Sequence, residues 1–377
     1  MKISDFLNAL SGVIPLATTG YAKDAVGLQV GYDKNTELRS GLIAYEVTES
    51  VIEEAINANT NLIIAYHPLI FPNINAVTDS SRTGSLLRKL IRNDIALYVV
   101  HTAFDTNPDF GTSKLMADAL GLTDTQTLVP MSDLLEKIVV FAPVAEADSI
   151  REAMWNAGAG SVGNYDECSF SATGIGTFRG NESSNPSVGK PHQRESVNEV
   201  RIEMIVEKWK ASKVVNAMIG AHSYEEVAYD RYPMLNTHPG YGMGSIGRWD
   251  VTKSLSETLE RIKKTFKTSV LRHNGVSKDS YSRVAMVGGA GMEYYSSALR
   301  MGAEVYVTGD IRYHDYLRAA HDGVLLVDAG HAETERFVTS GMLKAVKAAC
   351  NVVNLHTDDV LKLFRVSDEE KNVVHYY

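Results

Sequence analysis

Both ends of this chain alternate short β-branched runs with amphipathic segments, and this alternation limits the folds that the chain can adopt. Strand-like apolar runs occupy residues 41–45, 62–65, 96–100, 283–287, 304–308 and 324–327. The segments between them have the spacing of amphipathic helices, as in 48–57, where Thr48 is the predicted N-terminal cap. Strands that alternate with helices form βαβ units. Each end of the chain therefore predicts an α/β fold with a mainly parallel sheet.

The middle of the chain has a different order of elements. Strand-like and helix-like segments follow one another as β-α-β-β-α-β at 137–142, 147–158, 169–178, 198–206, 210–222 and 226–232. This order is typical of the ferredoxin-like arrangement. We therefore predict an α/β domain in two segments, 1–128 and 237–377, and an inserted ferredoxin-like α+β domain at 129–236.

Charge and hydropathy exclude several classes of protein. The net charge of −9 and the pI of about 5.7 oppose non-specific binding to nucleic acid, which needs a basic surface. No segment reaches the ~18 consecutive apolar residues of a membrane span, and the N-terminus lacks the apolar core of a signal peptide. The two cysteines, Cys168 and Cys350, set no disulfide framework and fit a reducing cytosol. We therefore predict a cytoplasmic protein without a membrane partner.

The segment Gly-His-Ala-Glu-Thr-Glu at 330–335 carries the clearest chemical signal. His331 and Glu335 are four residues apart, so a helix would place both side chains on one face, within reach of one divalent metal ion. We predict that this helix continues as one long element over 332–349. The pair alone is weak evidence, because many surface helices carry such a pair for solubility. Support comes from two distant segments.

Two other apolar runs end in residues that can bind metals. His67 follows the run at 62–65, and Pro68 after it favours a strand end. The alternative for His67 is a core histidine bonded to a carbonyl. Asp105 ends the segment 99–105, which is too short and too β-branched to predict a helix, and its alternative role is to cap the helix after Gly111. His101 either holds Asp105 or is a ligand itself.

Three further polar residues lie near the C-terminal motif. Asp310 and His314 form another pair four residues apart, but helix capping by Asp310 is a sufficient explanation, and a metal role for His314 is the less favoured one. Asp328 either orients His331 or caps its helix. The glycine run at 288–291 lacks the spacing of a phosphate loop and predicts a tight turn.

The candidate ligands are therefore His67, Asp105, His331 and Glu335. This mixture of nitrogen and oxygen donors suits Zn²⁺, Mn²⁺, Fe²⁺ or Co²⁺ and leaves positions open for water. One carboxylate can bridge two divalent metal ions, and such a pair would lower the pKa of a bridging water towards about 7. An open coordination position is typical of a catalytic site.

Four motifs make the chain resemble the NIF-three-like family, whose members are called GTP cyclohydrolase I type 2 homologues. The motifs are YHPLIF at 66–71, HTAFD at 101–105, GD-x₃-HD at 309–315 and DAGHAETE at 328–335. The insert resembles that of a long form whose extra domain has a PII- or CutA-like fold. The resemblance implies a toroidal homohexamer and a dinuclear site with ligands at position 66, His67, Asp105, His331 and Glu335.

Position 66 departs from the family pattern, because it is Tyr where the family has His. A phenol, with a pKa near 10, is a poorer ligand than an imidazole, so the ion on the Asp105 side should be the weaker one. The resemblance implies a metal-dependent hydrolase of the GTP cyclohydrolase type acting on a small molecule, with His101 or Tyr66 as a proton carrier. The alternatives are a metal-binding regulatory protein without turnover, or a metal-dependent nuclease or phosphatase.

Overall fold

The computed structural model describes residues 1–18, 24–355, 357–369 and 373–374. They divide into two compact units. The first unit comprises Met1–Met131 and Gly240–Tyr377, and the second comprises Ser132–Pro239. The second unit thus interrupts the first in sequence.

The strands of the described residues range from two to fourteen residues in length. In chain order they are β1 (Gly27–Val30), β2 (Gly41–Ala44), β3 (Leu62–Ala65), β4 (Ala96–Val99), β5 (Thr123–Pro130), β6 (Leu135–Pro143), β7 (Phe170–Arg179), β8 (Arg194–Glu207), β9 (Tyr229–Pro233), β10 (Gly242–Lys253), β11 (Arg272–His273), β12 (Tyr281–Met286), β13 (Val305–Thr308), β14 (Leu325–Asp328) and β15 (Phe364–Val366).

The helices of the described residues alternate with these strands in the first unit. They are α1 (Ile3–Val13), α2 (Glu49–Asn57), α3 (Arg82–Arg92), α4 (His101–Asp105), α5 (Thr112–Leu120), α6 (Ala147–Asn156), α7 (Lys208–Gly220), α8 (Leu255–Phe266), α9 (Tyr295–Arg300), α10 (Tyr313–His321), α11 (His331–Glu335), α12 (Val338–Val352) and α13 (Thr357–Leu363). Short 3₁₀ turns cover Leu16–Thr18, Val144–Glu146 and Met292–Tyr294. Within the described ranges, no helix has the length and apolar character needed to cross a membrane.

The first unit contains two mixed sheets. In one, the strand order is β1-β4-β3-β2-β15, and the four strands from β4 to β15 are parallel. In the other, the order is β11-β14-β13-β12-β10-β5, with β12, β13 and β14 parallel. Every residue of β2, β3, β4, β13 and β14 is buried, because helices cover both faces of a parallel sheet. The predicted strand at 62–65 is confirmed.

The second unit is a four-stranded antiparallel sheet with two helices. Its strand order is β7-β8-β6-β9, and the chain runs through it as β-α-β-β-α-β, which is the ferredoxin-like arrangement. Residues of β6 and β8 that alternate along each strand pack with α6 and α7 in one core, including Ile138, Val140, Ile202 and Met204. The neighbouring residues of those strands therefore face away from that core.

Two predictions of local structure are wrong. The segment 101–105 forms the short helix α4, and the predicted helix at 332–349 is divided by a turn at Arg336 and Phe337 into α11 and α12. The β-branched composition of the first segment is overridden by Asp24, whose carboxylate accepts hydrogen bonds from the backbone N–H (3.2 Å) and the hydroxyl (2.5 Å) of Thr102. Asp24 thus satisfies a free donor at the start of α4.

Candidate metal centre

Three of the predicted ligands converge between the two sheets of the first unit. His67 lies just beyond the carboxyl end of β3, and α11 begins at His331 shortly after the carboxyl end of β14. Glu335 Oε2 is 3.3 Å from His331 Nε2 and 3.7 Å from His67 Nε2. One donor atom from each residue lies within 4.8 Å of the other two. Carboxyl ends of parallel strands are where open α/β sheets place their sites.

Glu335 is the most enclosed member of this group. Its side chain is 5% exposed, and its Oε2 accepts a 2.5 Å hydrogen bond from the Tyr45 hydroxyl. Burial alone would raise the pKa of Glu335, but the hydrogen bond and positive charge of His331 lower it below the ordinary value. The glycine turn at 288–291 allows this packing, because a Cβ on Gly289 would collide with the Glu335 carboxylate. Glu335 is thus held as a carboxylate, the form that binds a cation.

His331 is oriented by a second carboxylate. Its Nδ1 is 2.7 Å from Asp310 Oδ2, which leaves Nε2 directed at Glu335. The hydrogen bond with Glu335 and then that with Asp310 raise the pKa of His331 to about 9. A carboxylate behind an imidazole is the usual support of a metal-binding histidine. The predicted helix-capping role of Asp310 is wrong, because Asp315 accepts the hydrogen bond from the Arg312 N–H at the start of α10.

Among the described residues His67 has no carbonyl partner, so the alternative of a core histidine bonded to a carbonyl is wrong. Its Nδ1 lies 2.9 Å from Glu46 Oε1, in a contact that lacks the geometry of a hydrogen bond. A buried ring nitrogen without a hydrogen bond is costly in a folded protein. The ring is packed edge-on against Tyr45, with centroids 4.7 Å apart. Packing rather than hydrogen bonding therefore fixes the imidazole beside Glu335.

Asp105 lies next to this group but is engaged by Tyr66. The Tyr66 hydroxyl is 2.8 and 3.0 Å from the two oxygens of Asp105 and 3.4 Å from Glu335 Oε1. The hydroxyl of Thr112 donates a further 2.5 Å hydrogen bond to Asp105. The Asp105 side chain therefore contacts the first residue of α5, but the N-cap residue of that helix is Gly111. Burial and the charge of Glu335 raise the pKa of Asp105 to about 6. The phenol oxygen therefore occupies the space between the two carboxylates.

The Tyr66 side chain is a neutral donor in this position. It is 1% exposed, and burial followed by the charges of Asp105 and Glu335 raises its pKa well above the ordinary value. A phenol that keeps its proton can satisfy a carboxylate but is a poor metal ligand. The Tyr66 hydroxyl thus keeps its proton and lies within hydrogen-bond distance of both acidic side chains.

His101 is held by a residue that the sequence did not indicate. Its Nδ1 is 2.8 Å from Asp24 Oδ1, so it does not hold Asp105 through that nitrogen. Burial alone would lower the pKa of His101, but the hydrogen bond and charge of Asp24, together with the charge of Asp105, raise it. The imidazole ring centroid lies 5.4 Å from that of His67. Asp24 sits in an irregular segment 77 positions before His101, where no local pattern marks it.

The remaining candidates lie outside the group. Asp328 pairs with Arg272, and its other oxygen accepts a 3.0 Å hydrogen bond from the Gly330 N–H. It therefore holds the turn before α11 and does not orient His331. His314 is exposed on α10 with its ring against Tyr313, at a centroid separation of 5.5 Å.

Comparison with known proteins agrees with this architecture. The chain matches the profile of the Duf34/NIF3 (NGG1p interacting factor 3) family over residues 1–360. A Halalkalibacterium halodurans protein named GTP cyclohydrolase 1 type 2 homolog is 40% identical over 345 residues, which are 89% of this chain and 92% of that protein. A Bacillus subtilis protein of the same name is 38% identical over 333 residues, which are 87% of each.

A solved structure shares the whole fold. The crystal structure of a Bacillus cereus protein related to NIF3 has a TM-score of 0.86 and 36% identity, and it covers 99% of this chain and 98% of that chain. Since both units are included, the match extends to the interrupted α/β architecture.

Proposed function

The chain belongs to the Duf34/NIF3 family, and from that premise we propose that it is a metal-dependent hydrolase whose centre is built on His67, His331 and Glu335. The observation that carries the proposal is the convergence of two imidazoles on one buried carboxylate, with the three donor atoms within 4.8 Å of one another. The group of donors comes from segments far apart in the chain, so it is a product of the fold rather than of a local motif.

The donor set fits a divalent transition metal. Two imidazole nitrogens and one carboxylate oxygen suit Zn²⁺, Mn²⁺, Fe²⁺ or Co²⁺, and three protein ligands are typical of a catalytic site with an open position. When bound there, the ion would act as a Lewis acid that polarises a substrate and activates water. His67, His331 and Glu335 would hold it, with Asp310 fixing the His331 ring.

His101 is the proposed proton carrier. Asp24 fixes Nδ1, so Nε2 is free to accept a proton on the side of the ring that faces the centre. The elevated pKa of His101 makes its imidazole a stronger base, which favours its taking a proton from an attacking water. Asp24 is a positioning residue, since it acts through His101.

We propose one tightly bound ion per chain rather than two. A second ion would need the space between Asp105 and Glu335, which the Tyr66 hydroxyl spans by hydrogen bonds. The side chains left for that ion would offer only oxygen donors. Asp105 already accepts hydrogen bonds from the Tyr66 and Thr112 hydroxyls, which a cation at that position would have to displace.

We propose a small-molecule substrate. GTP is the compound to test, because the two relatives are named GTP cyclohydrolase 1 type 2 homolog. The test is metal analysis of protein purified without chelator or nickel resin, followed by a GTP turnover assay with the metal that is found. We expect bound metal and turnover in the wild type and neither in Glu335→Ala. Bound metal without GTP turnover would contradict the substrate, and it would favour a metal-binding regulatory protein, a function that Tyr66 at a ligand position also supports.

The family resemblance extends the proposal to assembly and location. We propose a homohexamer in the cytoplasm, with the second unit as a PII- or CutA-like domain. Cys168 and Cys350 are free thiols, which supports a reducing compartment. Sedimentation of the full chain would test the assembly, and a stable monomer would contradict it.

A further inference from the structure

The second unit contains a cleft of about 610 Å³ that is separate from the metal centre. Its lining is mostly apolar, and the apolar side chains around it are Phe141, Ile175, Phe178, Pro186, Val188 and Ala228. Ligand sites in proteins are typically concave, apolar and equipped with a few polar groups. A cleft of this size can enclose a small aromatic molecule.

Small residues of β7 create the hollow. In the sheet register, Ala172 lies opposite Arg201 and Gly174 opposite Glu199, so these residues and Gly176 share the sheet face that is turned away from the helix-packed core. A Cβ on Gly174 would meet no other atom within 4 Å. The floor of the cleft at Gly174 is therefore open because glycine has no side chain, while β7 keeps its regular pairing with β8.

The rim is closed by hydrogen bonds from the loop between β7 and β8. The Asn185 N–H donates to Glu225 Oε1 at 2.7 Å, and the Ser187 hydroxyl donates to the Ser223 carbonyl at 2.9 Å. These bonds tie the loop to the segment that follows α7. These hydrogen bonds thus hold the edge of the cleft that is formed by the β7–β8 loop.

One carboxylate lies inside the cleft with an unused oxygen. Glu199 is 9% exposed, and its Oε1 accepts a 3.1 Å hydrogen bond from the Tyr224 hydroxyl. Throughout the described ranges, no donor bonds its Oε2. The carboxylate lies over Gly176, where any Cβ would collide with it. A carboxylate that is nine-tenths buried and half-satisfied calls for a further hydrogen-bond donor.

The nearby cations do not neutralise this carboxylate. Arg201 pairs with Glu203 at 3.0 Å, and Arg179 donates its Nε–H to the His192 carbonyl. Glu226 adds another negative charge to the lining. The polar side of the cleft therefore favours a donor-bearing or cationic group over an anion.

We propose that this cleft binds a small planar aromatic ligand whose edge carries adjacent N–H donors, as an amidine does. The ring lies over the open floor at Gly174 against Phe178 and Tyr224, and the N–H edge donates to Glu199 Oε2. Free aromatic amidines and guanine bases both present such an edge. The site is independent of the metal centre and of any turnover there.

The test is calorimetric titration of the full chain with benzamidine, and with benzoate as the anion of the same shape. We expect benzamidine to bind and benzoate not to bind. Glu199→Gln keeps the shape but removes the charge, and it should weaken benzamidine at least about tenfold. Gly174→Leu fills the open floor and should abolish binding. Guanosine against inosine, which lacks the 2-amino group, then separates a base from a free amidine as the ligand.

Glu152→Gln is the matched control, because Glu152 is an exposed carboxylate on α6 in the same unit, and it should bind benzamidine as the wild type does. Absence of benzamidine binding would overturn the proposal. So would binding that survives in both Glu199→Gln and Gly174→Leu. Loss in Gly174→Leu with full binding in Glu199→Gln would overturn the ligand class, since the carboxylate would then play no part.

Discussion

Glu335 has a different kind of neighbour on each side. On one side lie the imidazoles of His67 and His331, within 3.7 and 3.3 Å of Oε2. On the other side, the Tyr66 hydroxyl approaches Oε1 at 3.4 Å and is bonded to Asp105. We call these the imidazole half and the phenol half of the centre. The lone pair of an imidazole nitrogen can bind a cation. A phenol instead donates a hydrogen bond to the carboxylate, so no cation is needed at that position.

The side chain at position 66 thus decides which group lies between the buried carboxylates of Asp105 and Glu335, a hydroxyl in this chain. Two carboxylates close together cannot both stay ionised without a proton or a cation between them. In the phenol half the Tyr66 hydroxyl hydrogen-bonds the carboxylates but carries no charge, so burial and then the charge of Glu335 raise the pKa of Asp105 to about 6. Five variants, with two controls, test whether the halves differ as described.

The largest effect is expected from loss of the imidazole half. His331→Ala and Glu335→Ala should each weaken binding of Zn²⁺ or Mn²⁺ by more than about 100-fold, the upper end of what an outer partner of a ligand contributes. Metal analysis and calorimetry measure the loss, and circular dichroism checks that the fold survives. Full metal retention by Glu335→Ala would refute the assignment of the centre.

Tyr66→His should convert the phenol half into a second imidazole half. The new imidazole adds a nitrogen donor beside Asp105, so a titration with Zn²⁺ should show a second tight binding step that the wild type lacks. Tyr66→Phe is the control, because it removes the hydroxyl without adding a donor. Two equally tight ions in the wild type would show that the hydrogen-bonded Tyr66 does not exclude the second ion.

A smaller effect is expected from the support of His331. Asp310→Asn keeps an acceptor for Nδ1 but removes its charge, so metal affinity should fall by roughly tenfold. The readout is the dissociation constant for Zn²⁺ measured by competition with a chelating dye. Asp315→Asn, on the neighbouring helix turn, should leave that constant unchanged. An unchanged constant in Asp310→Asn would mean that packing alone orients the ring.

The smallest effect should come from Asp105→Asn. Because Asp105 contacts Tyr66 and Thr112 and is linked to Glu335 through the Tyr66 hydroxyl, the affinity for the tight ion should change by less than about threefold, the size of a weak coupling between neighbours. The same calorimetric titration measures it. A loss comparable to that of Glu335→Ala would place Asp105 among the ligands of the first ion and would erase the distinction between the halves.

Local patterns were sufficient where the chain is regular. The strand at 62–65 has the predicted bounds, and Thr48 caps α2 by accepting a hydrogen bond from the Val51 N–H. Apolar β-branched runs and caps act over a few residues, so they are visible in the sequence. The same holds for the four-residue spacing of His331 and Glu335 on α11.

Contacts between distant segments could not be predicted in this way. Asp24 acts on His101 and Thr102 across more than 70 positions, and it turns a strand-like segment into a helix. Asp310 bonds His331 from 21 positions away, with a positive φ of 55° that no helix cap requires. Asp310 has an adequate local explanation, helix capping, that the fold does not use, whereas no local pattern marks Asp24.

The 269 positions between Tyr66 and Glu335 impose an order on the synthesis of the protein. A ribosome adds about 5–20 residues per second, so Glu335 is made roughly 13 to 54 s after Tyr66. Throughout that interval the nascent chain carries His67 without the carboxylate and the second imidazole that complete the centre. A metal ion at the proposed centre would therefore be bound by all three side chains after Glu335 has been synthesised, and the metals available at that stage would decide which ion is loaded.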